Sequence, residues 1–143
     1  MAKDAYHENV KNALIKDGWE ITHDPYVLKY KDLTVFADLG AEKFFANNEN
    51  KDKIVVEIKV FGSKSKTTEF EKAKGQYDIY LFAMRKNQID GILFLAVSTD
   101  IYESVFLRPS IREIVAEERI NLLIFDVKKE EIVRWINWQN IEI

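Results

Sequence analysis

The densest run of strand-forming residues in the chain lies from Ile54 to Phe61, and it carries one carboxylate and one ammonium two positions apart. Side chains alternate across a strand, so Ile54, Val56, Ile58 and Val60 share one face while Val55, Glu57, Lys59 and Phe61 share the other. Both faces are apolar except at Glu57 and Lys59. A strand of that kind belongs in the middle of a sheet, where a charge is costly unless it is paired or holds a metal.

The pattern on either side predicts further elements in turn. Tyr6, Val10, Ala13 and Leu14 recur at helical spacing over residues 4–17, with Asp4 at the N-terminal end and Gly18 where a helix C-terminus favours glycine. The alternating segments 19–23 and 26–30 predict strands separated by the turn Asp24-Pro25. Leu33 to Leu39 predicts a third strand, apolar on both faces, with Asp38 as the charge inside it. Residues 40–53 are rich in Asn and Lys and predict a polar connection with a helical turn at Glu42 to Ala46. Its length allows the strand 54–61 to pair with the Asp38 strand.

Downstream, Thr68-Glu69-Phe70-Glu71 fits a capping box, opening a helix to about Arg85 with the stripe Phe70, Ala73, Tyr77, Tyr80, Leu81 and Met84. Gly75 inside it costs about 1 kcal/mol relative to alanine, and close packing against a sheet would be a reason for it. Gly91 to Val97 and Leu122 to Asp126 read as buried strands, Thr99 to Phe106 and Pro109 to Glu118 as short helices, and Ile132 to Trp138 as an edge strand. Strands interleaved with helices predict a layered α/β domain.

Composition narrows the class. At 143 residues, 47% of them hydrophobic and 13% aromatic, the chain is expected to form one domain over residues 1–143 with a well-filled core. Lys and Arg number 21 against 24 Asp and Glu, so bulk electrostatic coating of nucleic acid is not expected from a net charge of −3. The absence of cysteine excludes disulfides and thiolate chemistry and fits a reducing cytoplasm. Neither a membrane-length apolar run nor a signal-peptide core is present, so a soluble cytoplasmic protein is the expectation. Charge is uneven, however. Residues 51–74 hold seven Lys and four acids, a local +3, and Lys64 and Lys66 lie in the loop after the central strand. Their ammonium groups suit contacts to DNA phosphates, which hold a duplex without reading its bases. An ordinary solvated loop would look the same.

The spacing of Glu57 and Lys59 is not itself informative. With 14 Glu and 16 Lys, about 1.6 Glu-x-Lys triplets are expected by chance, and two occur. The information lies in the apolar setting of Glu57-Ile58-Lys59 and in Asp38 on a neighbouring strand. Two carboxylates suit Mg²⁺, which takes one or two protein carboxylates and bridges to substrate phosphate. A lysine beside them can offset charge developing on phosphorus. The same three residues also suit a salt-bridged cluster at a sheet end. Gln76, one helical turn before Tyr80, places an amide near the group, although from the residues alone it reads rather as an ordinary boundary residue.

The array of Asp38, Glu57-Ile58-Lys59 and a following helix with Gly75-Gln76-Tyr77 resembles the PD-(D/E)XK, or restriction-endonuclease-like, superfamily. Lys3-Asp4-Ala5-Tyr6-His7, Ala13-Leu14-Ile15-Lys16-Asp17-Gly18-Trp19, Ile21-Thr22-His23-Asp24-Pro25, Asp38-Leu39-Gly40-Ala41-Glu42 and Val56-Glu57-Ile58-Lys59 extend the likeness over nearly the whole chain. In this narrower match the chain resembles the XisH family, named for the fdxN-element excision controlling factor of heterocyst-forming cyanobacteria. The resemblance implies a three-layer nuclease-like fold, a central mixed β-sheet flanked by helices, in a factor controlling a site-specific recombinase acting on DNA. It also implies a partner of the XisI family, and leaves self-association open. Carried onto this chain, Asp38 and Glu57 become ligands of Mg²⁺, Ile58 a backbone-carbonyl ligand, Lys59 the catalytic lysine and Gln76 a supporting residue. A Mg²⁺-dependent deoxyribonuclease and a non-catalytic interaction module are the alternatives. Ala37 stands where the superfamily motif has its proline.

Such folds often add a glutamate from the first helix, which here is Glu8. On a helical wheel Glu8 falls nearly opposite Val10 and Leu14, while His7 sits at the edge of that stripe. His23, beside Asp24-Pro25, reads as a turn residue.

Overall fold

A computed structural model describes residues 2–44 and 51–140 of the chain. Its central element is β5 (Lys51–Ile58), third in a six-stranded mixed sheet. Ahead of it come α1 (Ala2–Lys16), β1 (Glu20–His23), β2 (Tyr26–Tyr30), β3 (Leu33–Ala37) and β4 (Leu39–Phe44). After it come α2 (Lys66–Lys86), β6 (Ile92–Ser98), α3 (Thr99–Ile101) running into a π-helical turn at Tyr102–Phe106, α4 (Pro109–Glu117), β7 (Leu122–Asp126) and β8 (Glu131–Ile136). The sheet order is β1-β4-β5-β6-β7-β8, while β2 and β3 form a separate two-stranded ribbon. Pairing is parallel for β5–β6 and β6–β7 and antiparallel elsewhere. Parallel neighbours need crossovers, supplied by α2 and by the α3–α4 segment. This is the expected central mixed sheet flanked by helices. Among the described residues no helix is long and apolar enough to cross a membrane.

Alternation along β5 distributes its side chains as the sequence predicts. Ile54, Val56 and Ile58 pack with Val10 and Leu14 of α1, Phe94 and Phe125. Val55 packs on the opposite face with Ala73, Tyr77 and Tyr80 of α2 and with Phe106. Glu57, two residues on from Val55, therefore faces α2.

The predicted central strand is displaced, by three residues at each end. It ends at Ile58 because Phe61 adopts a left-handed backbone, φ 57°, and turns its ring into the core against Phe106 at 5.5 Å. Lys59 still donates its N–H to the Ala96 carbonyl at 3.0 Å, so it stays fixed beside the sheet. At the other end, Lys51 to Lys53 join the strand because their partners complement them. Glu42 lies opposite Lys53 and Lys43 opposite Asp52, and opposite charges across an antiparallel pair are favourable. The predicted polar connection over 40–53 is thus in large part strand. A helical turn at Glu42 is overturned, and its remainder, from residue 45, lies outside the described residues.

Asp38 is not inside a strand. It stands at the junction where the chain leaves the ribbon, whose β3 pairs with β2, and enters the sheet, where β4 pairs with β1 and β5. Nor is the preceding strand apolar on two buried faces: Ala37 is buried, whereas Phe36 is 57% exposed.

Helix α2 starts earlier than its predicted capping box. Ser65 is the N-cap, its hydroxyl accepting the Thr68 N–H at 3.2 Å and donating to the Thr68 hydroxyl at 2.9 Å. The predicted stripe is buried at Phe70, Ala73, Tyr77, Tyr80 and Met84, with Ala83 added and Leu81 partly exposed. Gly75, by contrast, faces open space: a Cβ added there would meet no heavy atom within 4 Å. Close packing on the sheet does not explain it. Gly75→Ala is therefore expected to stabilise the fold by about 1 kcal/mol, read as a higher urea midpoint with an unchanged slope.

Candidate functional site

The carboxyl end of β5, beside the parallel strands β6 and β7, is where open α/β sheets commonly bind ligands. Glu57 is 3% exposed, and one of its oxygens lies 3.5 Å from the Lys59 ammonium. The Lys59 side chain retains 19% of its exposure, so the pair opens to solvent on the lysine side. Asp38, 13% exposed, accepts the Ile58 N–H at 2.8 Å, which pins the ribbon-to-sheet junction to the end of β5. One acid therefore comes from a strand end and the other from a junction, and a backbone hydrogen bond sets their relation.

Tyr80 of α2 closes the group from the helix side. Its hydroxyl donates to the Phe36 carbonyl at 3.1 Å. Burial raises its pKa, and the charges of Glu57 and Asp38 raise it further. Both carboxylates thus act on one hydroxyl. One turn earlier, the Gln76 side-chain oxygen is buried without a hydrogen-bond partner among the described residues, an arrangement that leaves an acceptor for a donor or cation to satisfy. Deeper on the same helix, burial pushes the Tyr77 hydroxyl up to about 12, although the N–H of Asn121 offsets part of the shift. Tyr77 serves the core, accepting that N–H at 3.0 Å.

Helix α1 contributes a second charged chain. His7 Nε2 lies 2.7 Å from one oxygen of Asp24, whose other oxygen accepts Lys11 Nζ at 2.9 Å. The opposite ring nitrogen, Nδ1, is 3.9 Å from Asp38 Oδ1. Burial alone would raise the pKa of Asp24, but hydrogen bonds from Lys11 and His7, with their charges, hold it below its ordinary value. A lowered carboxylate stabilises the fold above its unfolded value, near 4, and that contribution is lost as pH falls through the folded value. Asp24→Asn is accordingly expected to be less stable than wild type at neutral pH. The difference should shrink on acidification below about pH 4, as followed by circular dichroism.

The comparisons with known proteins agree with one another. A family model described as XisH protein matches residues 1–133. The chain belongs to the XisH family. A crystal structure of an XisH family protein from Nostoc punctiforme superposes with a TM-score of 0.84 at 37% identity, covering 93% of this chain and 99% of that one. A fdxN element excision controlling factor protein from Anabaena variabilis gives 0.83 at 37% identity, covering 94% and 99%. No curated protein matches the chain.

Within this XisH fold, Asp38, Ile58, Glu57 and Lys59 come together, with Gln76 on the same side of α2 as Tyr80. Glu8 does not join them in the way the resemblance implies: it is exposed on α1, and its neighbour His7 is the side chain that reaches toward Asp38. The reason is helical phase, since consecutive residues point about 100° apart. Lys64 is exposed in the loop. Lys66 is not a free phosphate contact, because its ammonium donates to the carbonyls of Phe61 and Ser63 at 2.8 Å each and braces the loop. His23 is exposed, but it is the last residue of β1, paired with Gly40, and not part of the turn; its ring lies 4.2 Å from the Tyr26 ring. Among the described residues no three His, Asp or Glu side chains form a ready-made metal cluster. Asp24, Lys11 and the Tyr80 hydroxyl were not singled out by the sequence. The available signal was His7 and Lys11, one helical turn apart on the face that meets the Asp24 turn.

Proposed function

We propose that this XisH protein is an accessory factor controlling site-specific DNA excision of the fdxN-element type, and that it meets DNA through the Asp38–Glu57–Lys59 group on a nuclease-like fold. The observation that carries the reading is the nearly complete burial of Glu57 beside Lys59 and close to Asp38's anchor on Ile58. Buried charges cost several kcal/mol, and replacing such a pair with apolar residues often stabilises a fold. Their presence at an open strand end supports a use beyond packing.

The donor set fits a hard divalent cation: two carboxylates, with the buried Gln76 oxygen, one helical turn from Tyr80, as an unsatisfied acceptor among the described residues. Asp38 and Glu57 would hold Mg²⁺, which supplies charge neutralisation at a phosphate and a more acidic bound water. Lys59 places an ammonium next to the carboxylates, where it opposes negative charge gathering on a phosphodiester. Tyr80 keeps Phe36, and with it the Asp38 junction, in place. Lys64, exposed in the following loop, supports phosphate contact without base reading.

Two specific tests apply. A strain that carries an excisable fdxN-type element but lacks its own XisH protein is expected to recover excision when given this chain together with an XisI-family partner. Unchanged excision after complementation would refute the role. The competing interaction-module reading draws on the 3.5 Å Glu57–Lys59 ion pair and the lack of a three-ligand cluster among the described residues. It predicts no heat of Mg²⁺ or Mn²⁺ binding in calorimetry, whereas the DNA-directed site predicts saturable binding that Asp38→Ala abolishes.

A further inference from the structure

His7 holds a position that the two-carboxylate site does not require. Its Nε2 faces the Asp24 carboxylate at 2.7 Å. A carboxylate at neutral pH can only accept, so Nε2–H donates and the ring orientation is fixed. Lys11, on the next turn of α1, holds the other Asp24 oxygen at 2.9 Å and keeps that carboxylate from swinging away. What remains is Nδ1, set 3.9 Å from Asp38 Oδ1, with the His7 side chain 22% exposed and hence open to an ion from solvent. Asp38 is constrained from its other side, where Oδ2 accepts the Ile58 N–H at 2.8 Å.

This is the arrangement of a metal-binding histidine. Such histidines donate one ring N–H to a carboxylate and offer the opposite nitrogen to the ion. Bonds of roughly 2.1 Å place two ligands of one ion about 3 to 4 Å apart, depending on the angle between them. The separation of 3.9 Å falls at the wide end of that range. Among the described residues, the charged groups that meet His7 come from three elements: Lys11 on its own helix, Asp24 from the β1–β2 turn, and Asp38 from the β3–β4 junction.

We propose that His7 is a nitrogen ligand of the divalent ion held at Asp38, with Asp24 as its orienting carboxylate, so that the site takes Mn²⁺, Co²⁺ or Zn²⁺ ahead of Mg²⁺. The proposal rests on the metal-binding reading above and specifies the class of ion. Imidazole suits first-row transition metals, whereas Mg²⁺ takes oxygen ligands and retains several waters. A nitrogen ligand therefore shifts the preference of an otherwise oxygen-lined site.

The experiment is a calorimetric titration of the full chain, without DNA, using MnCl₂, ZnCl₂ and MgCl₂ in turn, joined to pulsed electron paramagnetic resonance of the Mn²⁺ complex. Wild type is expected to bind Mn²⁺ and Zn²⁺ more tightly than Mg²⁺ and to show a histidine nitrogen coupling on Mn²⁺. His7→Gln, which keeps a polar chain of similar reach, should lose the coupling and weaken Mn²⁺ and Zn²⁺ by at least about tenfold, with Mg²⁺ little changed. Asp24→Asn should weaken the same two ions by about 10- to 100-fold, as loss of an orienting carboxylate does. Thermal melts of each variant without metal separate ligand loss from unfolding. Coupling and affinities that survive His7→Gln, while Asp38→Ala removes binding, would overturn the histidine ligand and leave the two-carboxylate site standing. A wild-type protein that binds none of the three ions would overturn both.

Discussion

Lys59→Ala is expected to lower excision supported by this protein, and any Mg²⁺- or Mn²⁺-dependent DNA nicking it performs, by about 10²- to 10³-fold, the usual loss when one preorganised group at a reacting phosphate or oxyanion is removed. The Lys59 ammonium lies 3.5 Å from a Glu57 oxygen and is the more exposed member of the pair. Taking it away also leaves the Glu57 carboxylate with less compensation, which weakens the strand end and adds a structural component to the loss. Lys59→Met separates the two, since it retains the apolar stem and removes the charge. Lys59→Arg provides a further check, because a planar guanidinium is not a substitute for a compact ammonium at a constrained position. Excision frequency, nicking of supercoiled DNA and the thermal midpoint should be measured on the same preparations. Cleavage that persists at the wild-type rate in Lys59→Ala and Lys59→Met would rule out this assignment. A midpoint falling in step with activity would indicate a structural role instead.

Phe106→Ala should be the most damaging of the single substitutions considered for stability, at about 3 to 5 kcal/mol for a buried phenylalanine truncated to alanine. Phe106 is 2% exposed and packs edge-on against Phe61 at 5.5 Å and Phe70 at 5.7 Å. The three rings join the π-helical turn, the segment after β5 and the first turns of α2. Edge-to-face pairs contribute beyond the area they bury, so two such contacts are lost together. A fall of roughly 10–15 °C in the melting midpoint corresponds to that range for a chain of this size. Because Phe61 turns the chain just after Lys59, the substitution should also loosen the end of β5. Divalent-ion affinity is then expected to fall in Phe106→Ala even at temperatures where the protein remains folded, whereas Gly75→Ala should leave it unchanged.

The elements that the sequence disclosed are those fixed by local chemistry. The stripe from Phe70 to Met84, the buried runs around Leu95 and Leu123, Pro109 at a helix start and Gly18 at a helix end each carry their signal within a few residues. The elements it misplaced depend on remote partners. Lys51 to Lys53 read as loop because they are polar, yet they are strand because Glu42 and Lys43 lie across from Lys53 and Asp52. Asp38 read as a charge inside a strand, and it is a junction between a ribbon and a sheet, which no property of residues 33–39 alone distinguishes.

The candidate site divides in the same way. Hydrophobic alternation in the sequence determined that Glu57 is a buried charge with Lys59 on its own face, because a period of two fixes which side chains share a face. Asp38, on a neighbouring predicted strand, and Gln76, one turn before Tyr80, are readable as its companions from the residues, and the family-like motifs give them roles. Tertiary structure alone decided that Asp38 is tied to Ile58, that Lys66 is spent on loop carbonyls, and that His7 rather than Glu8 approaches the carboxylates. The face of a strand follows from its own periodicity, but what a side chain meets across space depends on how separate elements are placed, and that information is carried by packing.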